Sequence, residues 1–203
     1  YDAKAGTGGG GGGMWGNNRT TDDLDEIDGY IESAKAAGSD YALYFVARNS
    51  GEGSDRSSGK LDYELSDNER GNIAKIAAAF DTTIVVLNTG GVMDTKFYKE
   101  IEGLDAMLLM SQPGMRGGDA VVQVLNGDVN PSGKLTDTWP VNYSDYPSAE
   151  TFANNDNNNR HEIYTDDIYV GYRYFDTFGK EVAYPFGYRG FYNPLHNQHG
   201  KTP

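Results

Sequence analysis

One carboxylate in this chain lies between glycines at a position where chemistry could take place. The apolar run 41–47 predicts a strand, and Glu52 follows it within Arg48-Asn49-Ser50-Gly51-Glu52-Gly53-Ser54-Asp55-Arg56. In open α/β sheets, ligands bind at the carboxyl ends of the strands. Glycine on both sides lets backbone or substrate approach closely and leaves the Glu52 side chain free to point into a cleft. The pattern indicates one half of a two-carboxylate active site.

Alternating strands and helices must position this loop. Apolar spacing, capping signals and glycine stops predict strands over 41–47, 83–88 and 104–110 and helices over 22–37, 66–80, 95–102 and 118–125. The run 41–47 is apolar throughout, which is typical of a strand that is buried on both faces. Strands that alternate with helices predict βαβ units with right-handed crossovers. The fold class is therefore α/β with a mostly parallel sheet.

The second half of the chain has a different composition and a less regular pattern. Residues 134–139 predict an edge or antiparallel strand, and 168–175 alternate as a strand does. Between them, residues 142–167 are polar and rich in asparagine, which favours a long loop. We therefore divide the chain into a flexible glycine-rich segment (1–20), an α/β domain (21–188) and an irregular tail (189–203).

Three of the glycine-rich loops share one rim if the sheet is parallel. Their charged side chains are Glu52, Asp55, Arg56, Asp94 and Arg116. Carboxylates accept hydrogen bonds from sugar hydroxyls and arginine donates to them, so the rim suits a neutral ligand rich in hydroxyl groups. Loops at sheet edges are commonly polar and rich in glycine, and this ordinary explanation accounts for the same residues.

Composition excludes several classes of function. The 203 residues carry 17 Lys and Arg against 30 Asp and Glu, a net charge of -13 that disfavours nucleic acid as a partner. The chain has no cysteine, which excludes thiolate chemistry, and no apolar run long enough for a membrane span. No signal-peptide pattern begins the chain, and a cytoplasmic or a secreted location both remain open.

Metals and cofactors are not predicted. The histidines are His161, His196 and His199, and the last two have metal-ligand spacing without an obvious third ligand. The glycine run 8–13 contains matches to a dinucleotide-binding motif, but no strand precedes it, so a nucleotide-binding domain is the weakest interpretation.

Several motifs together resemble glycoside hydrolase family 3, over roughly residues 40–188. They are R-N-S-G-E-G-S-D-R (48–56), V-V-L-N-T-G-G-V-M (85–93), P-G then G-G-D-A (113–120), V-L-N-G-D-V-N-P-S-G-K-L (124–135), I-Y-V-G-Y-R-Y-F-D (168–176) and Y-P-F-G-Y (184–188). The resemblance points to the β-glucosidase branch. It implies a three-layer α/β/α sandwich of the (α/β)6 type beside a (β/α)8-type barrel. The sandwich is expected to be incomplete at the N-terminus, where residues 1–20 stand in place of its usual first strand and helix.

The same resemblance implies roles for individual residues. Glu52 would be the general acid/base of a retaining β-glycosidase, and the barrel would carry the aspartate nucleophile. Asp55 and Arg56 would brace the loop by an ion pair. Met115 and Arg116 occupy the place where the family has an acidic residue, as substrate-binding or loop-bracing residues.

The resemblance also has gaps. The 203 residues hold no barrel, and Arg189-Gly190-Phe191-Tyr192 replaces the family's usual ending. We therefore expect the chain alone to be inactive toward its expected substrate, a β-linked glucoside or oligosaccharide. A non-catalytic module that binds carbohydrate or a partner protein is the alternative.

Overall fold

A computed structural model describes residues 24–48, 55–152, 160–161 and 163–190. Glu52, His196, His199 and the segment 1–20 lie outside the described residues, as does most of the tail 189–203. The helices are α1 (Leu24–Ala36), α2 (Asp67–Ala79), α3 (Phe97–Glu100), α4 (Gly117–Leu125) and α5 (Tyr172–Thr177). The strands are β1 (Tyr41–Ala47), β2 (Thr82–Asn88), β3 (Ala106–Leu109), β4 (Trp139–Pro140) and β5 (Val182–Tyr184).

The sheet is mostly parallel, as predicted. Its strand order is β1-β2-β3, with Tyr41 opposite Thr82 and Ile84 opposite Ala106. A separate antiparallel pair joins β4 to β5. The α/β class and the sandwich type are confirmed, and the carboxyl ends of β1, β2 and β3 lie at one edge of the sheet.

The predicted capping box begins α2. The Ser66 hydroxyl accepts a hydrogen bond from the Glu69 amide at 3.0 Å, and the Ser66 amide donates to Glu69 Oε2 at 2.8 Å. This reciprocal pair satisfies two helix-terminal donors that would otherwise lack partners. It also fixes where α2 starts, directly below the rim.

Strands β1 and β2 have similar sequences and different burial. In β2, Val85, Val86 and Leu87 are fully buried, so both faces are covered. In β1, Tyr41, Leu43 and Phe45 are 41–70% exposed, while Tyr44 and Val46 on the other face are buried. The expectation that β1 is buried on both faces is wrong for the described part of the chain, because α1 and α2 join the same core from one side.

The expectation of a strand over 168–175 is also wrong. Residues 167–168 form a turn, Gly171 has φ 60° and ψ −132°, and α5 follows it. Phe175 is 2% exposed and contacts Tyr146, while the Phe178 amide donates to the Tyr174 carbonyl. Helical spacing places the buried ring and the solvent-facing rings on different sides of α5. An alternating sequence also separates two sets of side chains, so the same residues resembled a strand.

The predicted strand over 134–139 is present only in part. Regular pairing is limited to β4, whose Trp139 is opposite Tyr184 of β5. Before it, the Leu135 amide donates to the Tyr188 carbonyl at 3.0 Å and its carbonyl accepts from the Gly187 amide at 2.8 Å. The antiparallel direction is confirmed, and the pairing is irregular.

Candidate active site

Three loops meet at the carboxyl rim of the sheet. Arg56, from the loop after β1, donates from Nη1 to the carbonyl of Val92 in the loop after β2 at 2.7 Å. Gln112, from the loop after β3, places Nε2 at 3.4 Å from the Arg48 carbonyl. The prediction of a common rim is confirmed, and direct contacts join the loops.

Arg48 ends β1 as a buried cation with five hydrogen bonds. Its guanidinium forms two of them with the carboxylate of Glu69, at 2.7 and 2.8 Å, and both side chains are at most 6% exposed. The remaining donors reach the carbonyls of Ala47, Asp62 and Glu64. A planar guanidinium suits this forked geometry, which ties the end of β1 to the start of α2.

Arg56 is held by Asp62. Its Nε lies 2.6 Å from Asp62 Oδ1, and its Nη2 donates to the Asp62 carbonyl at 3.1 Å. A Cβ added at Gly91 would lie 2.7 Å from Arg56 Nη1, so the absence of a side chain there makes room for the guanidinium. The ion pair of Arg56 is with Asp62, and Asp55 is exposed.

Asp62 was missed by sequence reasoning. It is 2% exposed, in a turn that contains Leu61 at φ 69°. Its side chain also accepts from the amide of Ser57 at 2.7 Å. A carboxylate six positions after Arg56 is no motif, and only the turn geometry brings the two together.

The predicted acid/base belongs to the loop after β1. Residues 49–54, Glu52 among them, are outside the described residues, while Arg48 and Asp55 on either side are described. The placement of Glu52 at the rim stays a prediction.

The other predicted site residues are not gathered around Arg56. Asp94 accepts from the Lys96 amide at 3.0 Å and so faces the start of α3. Met115 is fully exposed, and Arg116, directly before α4, pairs at 3.1 Å with Asp119 in the first turn of that helix, where both side chains are mostly exposed. The ion pair of Arg116 is therefore local to the loop after β3 and the start of α4.

An aromatic pocket of about 300 Å³ adjoins the loop after β1. Its walls are Asp55, Arg56, Ser57, Tyr63, Val92, Tyr143, Tyr146 and Phe152. Burial, chiefly, raises the pKa of the Tyr63 and Tyr146 hydroxyls well above their usual value of 10.0. Three of its rings, those of Tyr143, Tyr146 and Phe152, come from segment 142–167, which composition had presented as a polar loop, so sequence reasoning missed this pocket.

Two other kinds of site have no candidate among the described residues. No group of three or more His, Asp or Glu side chains within the described ranges is placed to hold a metal ion. In the same part of the chain, every helix is too short or too polar to cross a membrane.

Comparison with known proteins accounts for this arrangement. Residues 3–172 match the model of the glycosyl hydrolase family 3 C-terminal domain. A β-glucosidase of Ruminococcus albus is 38% identical over 175 residues, covering 86% of this chain and 18% of the relative. β-Glucosidase A of Butyrivibrio fibrisolvens is 38% identical over 178 residues, covering 75% of this chain and 21% of the relative.

Solved structures similar to this chain point to the same family. β-Glucosidase 3B of Thermotoga neapolitana, in complex with glycerol or with glucose, is 39% identical with TM-scores of 0.73 and 0.72. The match covers 84% of this chain and 23% of that enzyme. The chain thus spans about a fifth of the length of the curated relatives above. It belongs to glycoside hydrolase family 3, within the C-terminal domain of that family's β-glucosidases.

Proposed function

We propose that this chain supplies Glu52 as the general acid/base of a retaining β-glucosidase. The observation that carries the proposal is the anchoring of Arg48 and Arg56, on either side of the Glu52 loop, to the same residue at the ligand-binding edge of the sheet. A barrel domain outside this chain supplies the aspartate nucleophile. Its carboxyl group would lie about 5–5.5 Å from that of Glu52, as retention requires.

The reaction has two steps. The barrel aspartate attacks the anomeric carbon while Glu52 gives its proton to the departing glycosidic oxygen, which leaves a glycosyl-enzyme ester. Water then attacks the same carbon, Glu52 takes a proton from that water, and the ester bond to aspartate breaks. Glu52 ends protonated again and the aspartate ends as a carboxylate, so the cycle closes with one water consumed.

The relatives support the substrate class. Two of the matched relatives are β-glucosidases, and one solved neighbour holds glucose. We therefore infer a β-linked glucoside or oligosaccharide as substrate. The aromatic pocket beside Asp55 is of a size and character suited to the leaving group, because aromatic faces pack well against sugar or aryl rings.

The divided site makes a direct experiment possible. This chain alone should not hydrolyse an aryl β-glucoside, because one of the two carboxylates is absent. The enzyme that contains the chain and its barrel should hydrolyse it, and Glu52→Gln should abolish most of that activity. Strong turnover by the chain alone, or an unaffected Glu52→Gln enzyme, would refute the proposal.

A binding module is the second candidate, favoured by the aromatic pocket. Calorimetry of this chain with glucose and cellobiose tests it. Binding that survives Glu52→Gln and disappears with Tyr143→Ala, in a chain that gives no turnover with any barrel, would favour the module over the enzyme.

A further inference from the structure

We propose that Asp62 is a positioning residue for Glu52, through which both ends of the Glu52 loop are fixed in place. The inference rests on the proposed function, since it concerns the residue that holds the acid rather than the acid itself. It uses only the described residues on either side of the loop and the turn that contacts them.

One backbone carbonyl serves both ends of the loop. The carbonyl of Asp62 accepts from Arg48 Nε at 2.9 Å and from Arg56 Nη2 at 3.1 Å. Arg48 precedes the six residues 49–54, and Arg56 follows them by two positions. The two arginines that flank the loop are therefore held by a single carbonyl oxygen, which uses both of its lone pairs.

The side chain of Asp62 completes the attachment. Its Oδ1 accepts from Arg56 Nε at 2.6 Å, and its Oδ2 accepts from the Ser57 amide at 2.7 Å and the Ser57 hydroxyl at 3.3 Å. The carboxylate is 3% exposed while the Arg56 side chain is 20% exposed. Charge-assisted bonds at such short distances are the strong ones, so Asp62 fixes the direction of the chain just after the loop.

The turn that presents Asp62 has a strained backbone. Leu61 has φ 69°, in the left-handed region that a branched side chain rarely adopts. The amide of Glu64 donates to the Gly59 carbonyl at 3.0 Å across the same turn. Strained backbone persists where surrounding contacts determine it, and here those contacts are the bonds of Asp62 to the loop ends.

Arg56 also contacts the second loop of the rim, which follows β2. Arg56 Nη1 also donates to the Val92 carbonyl at 2.7 Å, in the space left by Gly91. Asp62 therefore holds a guanidinium that joins the loop after β1 to the loop after β2. Loss of its carboxylate would release Arg56 from one side and let Glu52 shift relative to the glycosidic oxygen.

The test separates acid catalysis from general damage by varying the leaving group. In the enzyme with its barrel, kcat/KM is measured for phenyl β-glucoside, whose phenol needs a proton to leave, and for 2,4-dinitrophenyl β-glucoside, whose phenolate does not. A misplaced acid lowers kcat/KM mainly for phenyl β-glucoside. Asp62→Asn should lower kcat/KM for the phenyl glucoside by roughly 10- to 100-fold, as small misplacements of catalytic groups do, and for the dinitrophenyl glucoside by less than about 3-fold.

Asp105→Asn is the matched control. The carboxylate of Asp105 accepts from the Thr83 amide at 2.8 Å, at the opposite end of β2 from the rim. The same isosteric change at Asp105 should lower kcat/KM for both substrates by one common factor. Arg56→Lys, at a partly exposed side chain, is the second variant and should reproduce the split if Asp62→Asn does not fold.

The outcomes distinguish this inference from the proposed function. If Glu52→Gln shows the leaving-group split while Asp62→Asn and Arg56→Lys behave like Asp105→Asn, the positioning role is overturned and the acid/base role stands. If Glu52→Gln shows no split, the proposed function fails first. A split in Asp62→Asn or Arg56→Lys that mirrors Glu52→Gln supports the positioning role.

Discussion

The loop after β1 and the loop after β3 meet the same rim and are held in opposite ways. Among the described residues 55–69, charged side chains are held by one another and by backbone groups. Arg56 bonds to the carboxylate and the carbonyl of Asp62, and Glu69 accepts from the Ser66 amide. In the loop after β3, Met115 is fully exposed and Arg116 pairs with the exposed Asp119.

This difference follows from what each loop must do under our proposal. A proton donor is useful only when its direction is fixed, so the first loop has anchors that stabilise one geometry. The side chains of Met115 and Arg116 carry no such requirement under the proposal, so they can stay exposed. The comparison predicts that damage to the first loop is costly and damage to the second is small.

The largest stability effect is expected at the buried ion pair of the first loop. Glu69→Gln leaves the Arg48 cation buried without its carboxylate, and the free energy of unfolding should fall by about 3–5 kcal/mol. Urea denaturation measures the change. Glu100→Gln, in the exposed pair with Arg70, is the control and should cost at most about 1 kcal/mol. Equal losses would remove the distinction between anchored and exposed pairs.

Alkaline pH should weaken the same region through Tyr63. Burial, chiefly, and then Asp94 raise the pKa of its hydroxyl above the ordinary value of 10.0. The unfolded chain loses this proton above pH 10 and the folded chain keeps it, so stability is complete below pH 10 and declines above it. Tyr63→Phe should flatten that decline by up to about 1.4 kcal/mol per pH unit.

The control for this pH effect is Tyr164→Phe, at a side chain that is 87% exposed. Denaturation at several pH values between 8 and about 11 gives the slope for each variant. An unchanged slope in Tyr63→Phe would show that the proton of Tyr63 is not retained by folding.

A smaller gain is expected inside α2. Asn72 is fully buried, and its amide nitrogen and oxygen have no hydrogen-bond partner among the described residues. Asn72→Leu removes two unpaired polar atoms from the core and should raise the free energy of unfolding by about 1–2 kcal/mol. Asn72→Asp should lower it, because a buried charge is worse than a buried amide. Destabilisation by both variants would mean that Asn72 has a partner in the intact protein.

The smallest effect is expected in the loop after β3. Arg116→Ala removes an exposed pair with Asp119 and should change the free energy of unfolding by less than about 0.5 kcal/mol. A thermal melt of the variant beside wild type is sufficient. A loss comparable to that of Glu69→Gln would show that this loop is anchored as firmly as the first one.

Sequence reasoning predicted the elements whose signals are local. The capping box at Ser66 and Glu69, the three parallel strands and their common rim all follow from short patterns, and each is present. The strand over 168–175 was wrong because aromatic residues fit both periods, and the positive φ of Gly171 decides between them. The exposed face of β1 could not be predicted, since composition does not specify which neighbours are present.

Some features of the candidate site could likewise be predicted from the sequence and others could not. Arg56 was identified as a brace by resemblance, but its partner Asp62 depends on a turn with Leu61 in a left-handed conformation, which no local preference predicts. The aromatic pocket depends on contacts between Tyr63 and Tyr143, 80 positions apart in the chain. Long-range packing of this kind leaves no periodic trace in the sequence.

The central claim, that Glu52 acts as the acid/base, is tested most directly by the product that azide forms. In the enzyme with its barrel, Glu52→Ala leaves the glycosyl-enzyme ester intact and opens space on the face from which water attacks. Azide needs no general base, so it should restore turnover of 2,4-dinitrophenyl β-glucoside and give β-glucosyl azide, identified by NMR. An α-glucosyl azide, or no azide product with wild-type hydrolysis, would contradict the account.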